Sequence, residues 1–197
     1  ARSSAASSDL ATRAGARVQI IKRSAQSPSA ARDGFDYGVM GDALAGDLVV
    51  LAVPYSAYAG ILEHYRDQLS KKVVIDISNP IDFSTYDELR SPADSSTAAE
   101  LAKMLPKGSA VVKAFNVNLG DTLVAGTNGT TVTTVLYAGD YADAKEQVAA
   151  LIEAAGMRAV DAGMLTRARE LEAMGFLQII MASLGKTSYE SGFTLLQ

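Results

Sequence analysis

Four places in the chain put polar or cationic groups directly after an apolar run, where a strand would end. RVQII is followed by Lys22-Arg23-Ser24, DLVVLAV runs out at Val53-Pro54-Tyr55, KVVIDI leads into Ser78-Asn79-Pro80, and VVKAF delivers Phe115-Asn116. An arginine, a lysine and a hydroxyl in sequence can grip a phosphate, the guanidinium through a bidentate pair, the ammonium as a point charge and the serine as a donor. In a dinucleotide-binding fold, an acidic residue at the end of the second strand holds the ribose hydroxyls, whereas a basic one accommodates a 2′-phosphate. Arg23 supplies the basic version. Read alone, a solvated Lys-Arg pair at a strand end is the commoner arrangement.

Proline at two of these ends fixes the backbone and removes a donor, so the chain leaves the sheet at a set angle. One proline of this kind does no more than terminate a strand. Two such ends beside a third that finishes in Asn116 describe a shared crevice, and ligands of open α/β sheets bind outside the carboxyl ends of the strands.

Other chemistries are poorly served. Cysteine is absent from the 197 residues and there is one histidine, so thiolate or multi-histidine metal sites, disulfides and thiol nucleophiles are excluded together. His64 sits in ILEHYRDQ among charged neighbours and reads as a surface residue. Asp76 and Asp82 flank a strand end without marking a carboxylate pair, and no G-x-S-x-G elbow occurs. A net charge of −4 without a block of like charges advertises no surface for nucleic acid. No charge-free apolar run reaches the length of a membrane span, and the compartment expected is the cytoplasm.

The elements that must position these residues follow from the pattern. RVQII, DLVVLAV, KVVIDI, AVVKAF, TVTTVLYA and MRAVDA are mostly continuous apolar runs, as expected for strands covered on both faces. SAYAGILEHYRDQLS carries a helical stripe, SSTAAELAKMLPKG has Ser96 or Thr97 at capping distance from Glu100, and YADAKEQVAALIEAAG ends in glycine. The Ala/Ser-rich first eight residues are the one low-complexity stretch. Strand and helix in alternation predict an α/β fold, doubly wound around a mainly parallel sheet. RARELEAMGFLQIIMASLG differs in being apolar on more than one face, which predicts a helix buried on several sides, in part against a partner subunit.

The stretch from VVIDISNPID to VVKAFN, with LAVPY before it and RARELEAMGFLQ after it, resembles the NADP-dependent F-420 oxidoreductase family from about Leu10 to the C-terminus. The resemblance implies a Rossmann-like NADP-binding domain over residues 1–160 and a C-terminal helical substrate and dimerisation segment over 161–197. It implies hydride transfer between NADPH and a planar small-molecule acceptor, coenzyme F-420 or a flavin, in a homodimer. Carried over by position, Lys22, Arg23 and Ser24 match the 2′-phosphate contact. Val53, Pro54 and Tyr55 match the strand end along the cofactor, and Asn79, Pro80 and Asn116 the wall near the nicotinamide. Phe115, Gly175 and Phe176 are then candidates for the acceptor pocket. No residue is assigned an acid or base role, because hydride transfer needs orientation and a dry crevice more than a proton donor.

One departure stands out. The family opens with a strand and a G-x-G-x-x-G turn, and SSDLATRAGARV resembles only the end of the helix that follows them. The Rossmann strand order 3-2-1-4-5-6 then leaves RVQII and DLVVLAV without their shared neighbour, and the expectation is a further strand and turn of about 15 to 20 residues ahead of Ala1. Two other readings stay open: a module that binds or senses NADPH without turnover, and an electron donor of the ferric reductase type.

Overall fold

Apolar runs that do not alternate need cover on both faces, and the strands of the main sheet have it. The computed structural model describes residues 2–24, 34–82 and 84–195. Strands β3 (Leu48–Leu51), β4 (Val73–Asp76), β5 (Ala110–Ala114), β8 (Thr134–Gly139) and β9 (Arg158–Asp161) form a five-stranded sheet in that spatial order. β3, β4 and β5 run parallel, β8 enters antiparallel to β5, and β9 is parallel to β8. Successive side chains of a strand point to opposite faces. Val73, Ile75, Val112 and Ala114 therefore pack with α1 (Arg2–Arg13) and α5 (Ala142–Ala154), while Val74 and Val111 pack with α2 (Tyr58–Tyr65) and α3 (Thr97–Met104). The fold is the expected α/β architecture, and the sheet is mainly parallel.

A second sheet holds two parallel strands, β1 (Val18–Lys22) and β2 (Phe35–Val39). Ile21, Met40 and Leu44 lean on the α2 side of the core, and the Tyr65 hydroxyl accepts from Gly41 N at 2.8 Å. Among the described residues, β1 and β3 each have a strand partner on one side only.

The helices correct the sequence reading in detail. The Ala/Ser-rich start is helical, as part of α1, and Arg13 at its end donates to the carbonyls of Leu123 and Val124, capping α4 (Gly120–Ala125). FDYGV forms β2 although its Asp and Gly break the apolar pattern. TVTTVLYA divides into β7 (Thr131–Val132), which pairs with β6 (Thr127–Asn128) in a small hairpin, and β8. Of the two capping candidates, Ser96 is the cap and accepts from Ala99 N at 3.1 Å. Thr97 becomes the first helical residue, which frees its hydroxyl for another purpose. The final helix, α6 (Ala168–Ser183), buries Leu171, Glu172, Gly175, Gln178 and Ala182, and leaves Leu177 and Leu184 exposed.

Candidate functional site

β4 and β5 end side by side, and each end is bent by a tight turn. Asn116 N donates to Ala114 O at 2.8 Å around Phe115, whose φ is +63°. That is a three-residue γ-turn of the rarer hand, a conformation that costs of the order of 1–3 kcal/mol and that concentrates at functional positions. A second three-residue turn at Pro80 is closed by Ile81 N donating to Asn79 O at 2.8 Å.

The two turns aim Asn79 and Asn116 at each other. Asn79 Nδ2 donates to Asn116 O at 2.7 Å, and Asn116 Nδ2 donates to Asn79 Oδ1 at 3.1 Å and to Leu171 O on α6 at 2.8 Å. The helix can come this close because residue 175 has no side chain. A Cβ there would lie 2.3 Å from Asn79 Oδ1 and 2.7 Å from Asn116 O. Gly175 is the cradle in which the asparagine pair rests.

With both amide hydrogens of Asn116 committed, its Oδ1 remains buried and without a partner, as does Asn118 Oδ1. Both residues line a pocket with Ser7 of α1, Asn79, Phe115 and Gly120 at the start of α4. A buried unsatisfied acceptor is costly, and a ligand that brings an N–H removes the cost. At about 20 Å³ the pocket has room for little more than one water-sized group, so what it offers is an acceptor to a single donor.

Directly beneath this junction lies a set of charges that sequence reasoning missed. Asp76 and Lys113 are register partners on β4 and β5 and face the α3 side of the sheet, both fully buried. Lys113 Nζ donates to Asp76 Oδ2 at 3.1 Å, to Glu172 Oε1 of α6 at 3.0 Å and to Ser78 O at 2.6 Å, which accounts for its three hydrogens. Glu172 also accepts from Thr97 N at 2.9 Å and from the Thr97 hydroxyl at 2.6 Å. Asp76 Oδ1 accepts from the Tyr58 hydroxyl at 2.6 Å and from Ser78 N at 2.8 Å.

Each hydrogen-bond neighbour of the two carboxylates is a donor. Burial pushes the Asp76 carboxyl up, but Lys113 and the hydrogen bonds from Tyr58 and Ser78 outweigh it and hold the group below its ordinary range. Burial first, and then the Asp76 charge, push the Tyr58 phenol far up, so it stays a neutral donor. The signal was present in AVVKAF, where a lysine stands inside a strand expected to be buried.

The remaining expected residues lie elsewhere. Val53 and Tyr55 join the core on the α2 and α3 side, where Tyr55 meets Tyr58 edge-on at 5.4 Å, and Pro54 is exposed. Burial and the nearby Glu100 raise the Tyr55 phenol. Pro80 is buried, and Phe176 is half-buried outside the pocket lining. Lys22, Arg23 and Ser24 close β1 in the other sheet. Lys22 Nζ lies 4.6 Å from the centre of the Tyr37 ring, and Arg23 and Ser24 are exposed. The structure thus brings Asn79, Phe115, Asn116 and Gly175 together and leaves the basic trio on a separate sheet.

His64 is exposed on α2. Asp82 is held low, at about 2, by the Ser84 hydroxyl and amide and by Arg90, in a local turn. Among the described residues, no helix is long and apolar enough to cross a membrane.

Comparison with known proteins follows the same outline. A protein from Arthrobacter sp. FB24 superposes with a TM-score of 0.86 at 22% identity, covering 100% of this chain and 96% of that one, which establishes the fold. The F420-dependent NADP reductase of Methanocaldococcus jannaschii is 30% identical over 133 residues, 66% of this chain and 59% of that protein. The metalloreductase STEAP3 of Rattus norvegicus is 33% identical over 133 residues, 68% of this chain and 26% of that protein. The chain thus spans less than two thirds of the length of the first of these curated relatives and about a quarter of the second. Residues 5–80, from α1 to the Asn79-Pro80 turn, match the family model described as NADP oxidoreductase, coenzyme F420-dependent, which with these relatives bears out the resemblance to that family.

Proposed function

We propose that the protein transfers a hydride between NADPH and a planar acceptor, coenzyme F-420 or a flavin, at the ends of β4 and β5. The observation that carries this reading is the unpartnered Asn116 Oδ1 in the pocket beside the Asn79–Asn116 pair. Bound over these strand ends, with the ring outside the small pocket, the nicotinamide would supply the hydride, and its carboxamide N–H would be the donor offered to that acceptor. The protein contributes orientation. The two turned strand ends fix the asparagines, Gly175 admits α6 over them, and Phe115 provides an apolar wall.

On this reading Arg23, with Lys22 and Ser24, selects the 2′-phosphate from the end of β1, while Val53, Pro54 and Tyr55 flank the cofactor. Residues 1–160 form the NADP-binding part. The segment 161–197 closes the acceptor side, with Phe176 as a further wall, and the exposed Leu177 of α6 and Leu184 just after it serve a homodimer. The compartment expected remains the cytoplasm. The reading is tested by following NADPH absorbance with F-420, flavin and a ferric chelate as separate acceptors. Oxidation with F-420 or flavin supports it, and NADPH that binds but is never oxidised defeats it. The similarity to a metalloreductase favours one second reading, electron delivery to iron, which predicts turnover with the ferric chelate and flavin together.

A further inference from the structure

The buried charges do more than join α6 to the sheet. Asp76, Lys113 and Glu172 contribute two negative charges and one positive, all at 0–1% exposure, so water does not screen them. Each stands three residues before one member of the junction: Asp76 before Asn79, Lys113 before Asn116, Glu172 before Gly175. At about 3.3 Å per strand residue and 1.5 Å per helix residue, the charges lie within roughly 10 Å of that junction. The first-turn amide of α3 that faces Glu172 is a fixed partial positive charge and offsets part of the excess. It does not change what removing one whole charge would do.

We infer that this anionic cluster sets the redox bias of the nicotinamide site, favouring the oxidised over the reduced ring. The inference rests on the function proposed above. Loss of a hydride, one proton with two electrons, to the acceptor leaves the nicotinamide ring with one unit of positive charge. The acceptor takes both electrons and completes its reduction with a proton from solvent. A fixed negative excess beneath the ring stabilises that charge and leaves the neutral reduced ring unaffected. The cluster is built for permanence, since all three Lys113 hydrogens and both carboxylates are matched by partners.

The test compares the dissociation constants of NADP⁺ and NADPH, by calorimetry on the full chain, with fold checked by circular dichroism. Glu172→Gln and Asp76→Asn each remove one negative charge, from α6 and from β4, so the answer does not depend on both variants folding. At an effective dielectric near 20 and about 10 Å, each should weaken NADP⁺ relative to NADPH by roughly tenfold. Thr97→Val removes hydrogen bonds from the same cluster without altering its charge, and should leave the ratio as in the parent. An unchanged ratio in a folded carboxylate variant that binds both nucleotides overturns the inference, as does an equal shift in Thr97→Val. If the parent binds neither nucleotide, the proposed function fails first, and the inference falls with it.

Discussion

The two sheets end in different ground. The five-stranded sheet finishes in Asn79 and Asn116, which are locked to each other, to α6 and, three residues below, to a fully buried ionic cluster. The two-stranded sheet finishes in Lys22, Arg23 and Ser24, with every residue of β1 only half-buried and the arginine and serine in water. Orientation of a reacting ring to a fraction of an ångström needs a site whose every polar atom is fixed, and that requires a sheet covered on both faces. Recognition of a phosphate needs a mobile cation within reach, and an exposed strand end suffices. On the proposed function, the geometric and the ionic parts of one binding task lie on the two sheets, each on the scaffold that its physics demands.

This division can be broken most severely at Lys113. Lys113→Met removes the cation between two buried carboxylates and should destabilise the protein by about 3–5 kcal/mol, read from urea denaturation. The same cluster dictates the acid response. Because the folded Asp76 carboxyl is held below its unfolded value, its contribution is complete at neutral pH, declines once pH falls below that unfolded value, and is gone below the folded one. The urea midpoint of the parent should therefore drop as pH is lowered through the carboxylate range, and that of Asp76→Asn should drop less steeply.

Gly175→Ala comes next. Its methyl meets Asn116 O, which is backbone and cannot swing aside, so α6 must move away from the strand ends. A loss of about 1–3 kcal/mol in stability is expected, with NADPH binding impaired further, as judged by fluorescence titration. The smallest stability effect belongs to the other sheet. Arg23→Ala should change the melting temperature little, while weakening NADPH about tenfold or more and leaving NADH unaffected. Equal losses for both nucleotides would show that Arg23 does not contact the 2′-phosphate.

The same contrast explains what was legible in the sequence. Continuous apolar runs disclosed the strands of the covered sheet, because burial on both faces leaves no room for alternation. β2 stayed hidden because a half-exposed strand tolerates Asp36 and Gly38. The antiparallel entry of β8 has no signature in a short apolar run, which reads alike in either direction. Asn79, Phe115 and Asn116 stood out by standing at strand ends, and the resemblance to a family named them.

Lys113 and Glu172 were in plain view as charges inside apolar segments, but their meaning lies in pairing across 59 residues of chain. No local pattern contains that. Thr97 shows the same limit on a smaller scale. Its three-residue spacing to Glu100 fits a capping box better than the four-residue spacing of Ser96 does, yet Ser96 is the cap and the Thr97 amide and hydroxyl go to Glu172 on a distant helix.

The turn at Phe115 carries a consequence for how this protein can change. Glycine at 115 would release the strain of the positive φ but would empty a core position that Phe115 fills at 5% exposure, and that second loss, about 3–5 kcal/mol, exceeds the first. The same change would loosen the hinge that points Asn116 at its partner. Position 115 is therefore where durability and aim depend on one ring, so drift away from an aromatic side chain there should cost both at once.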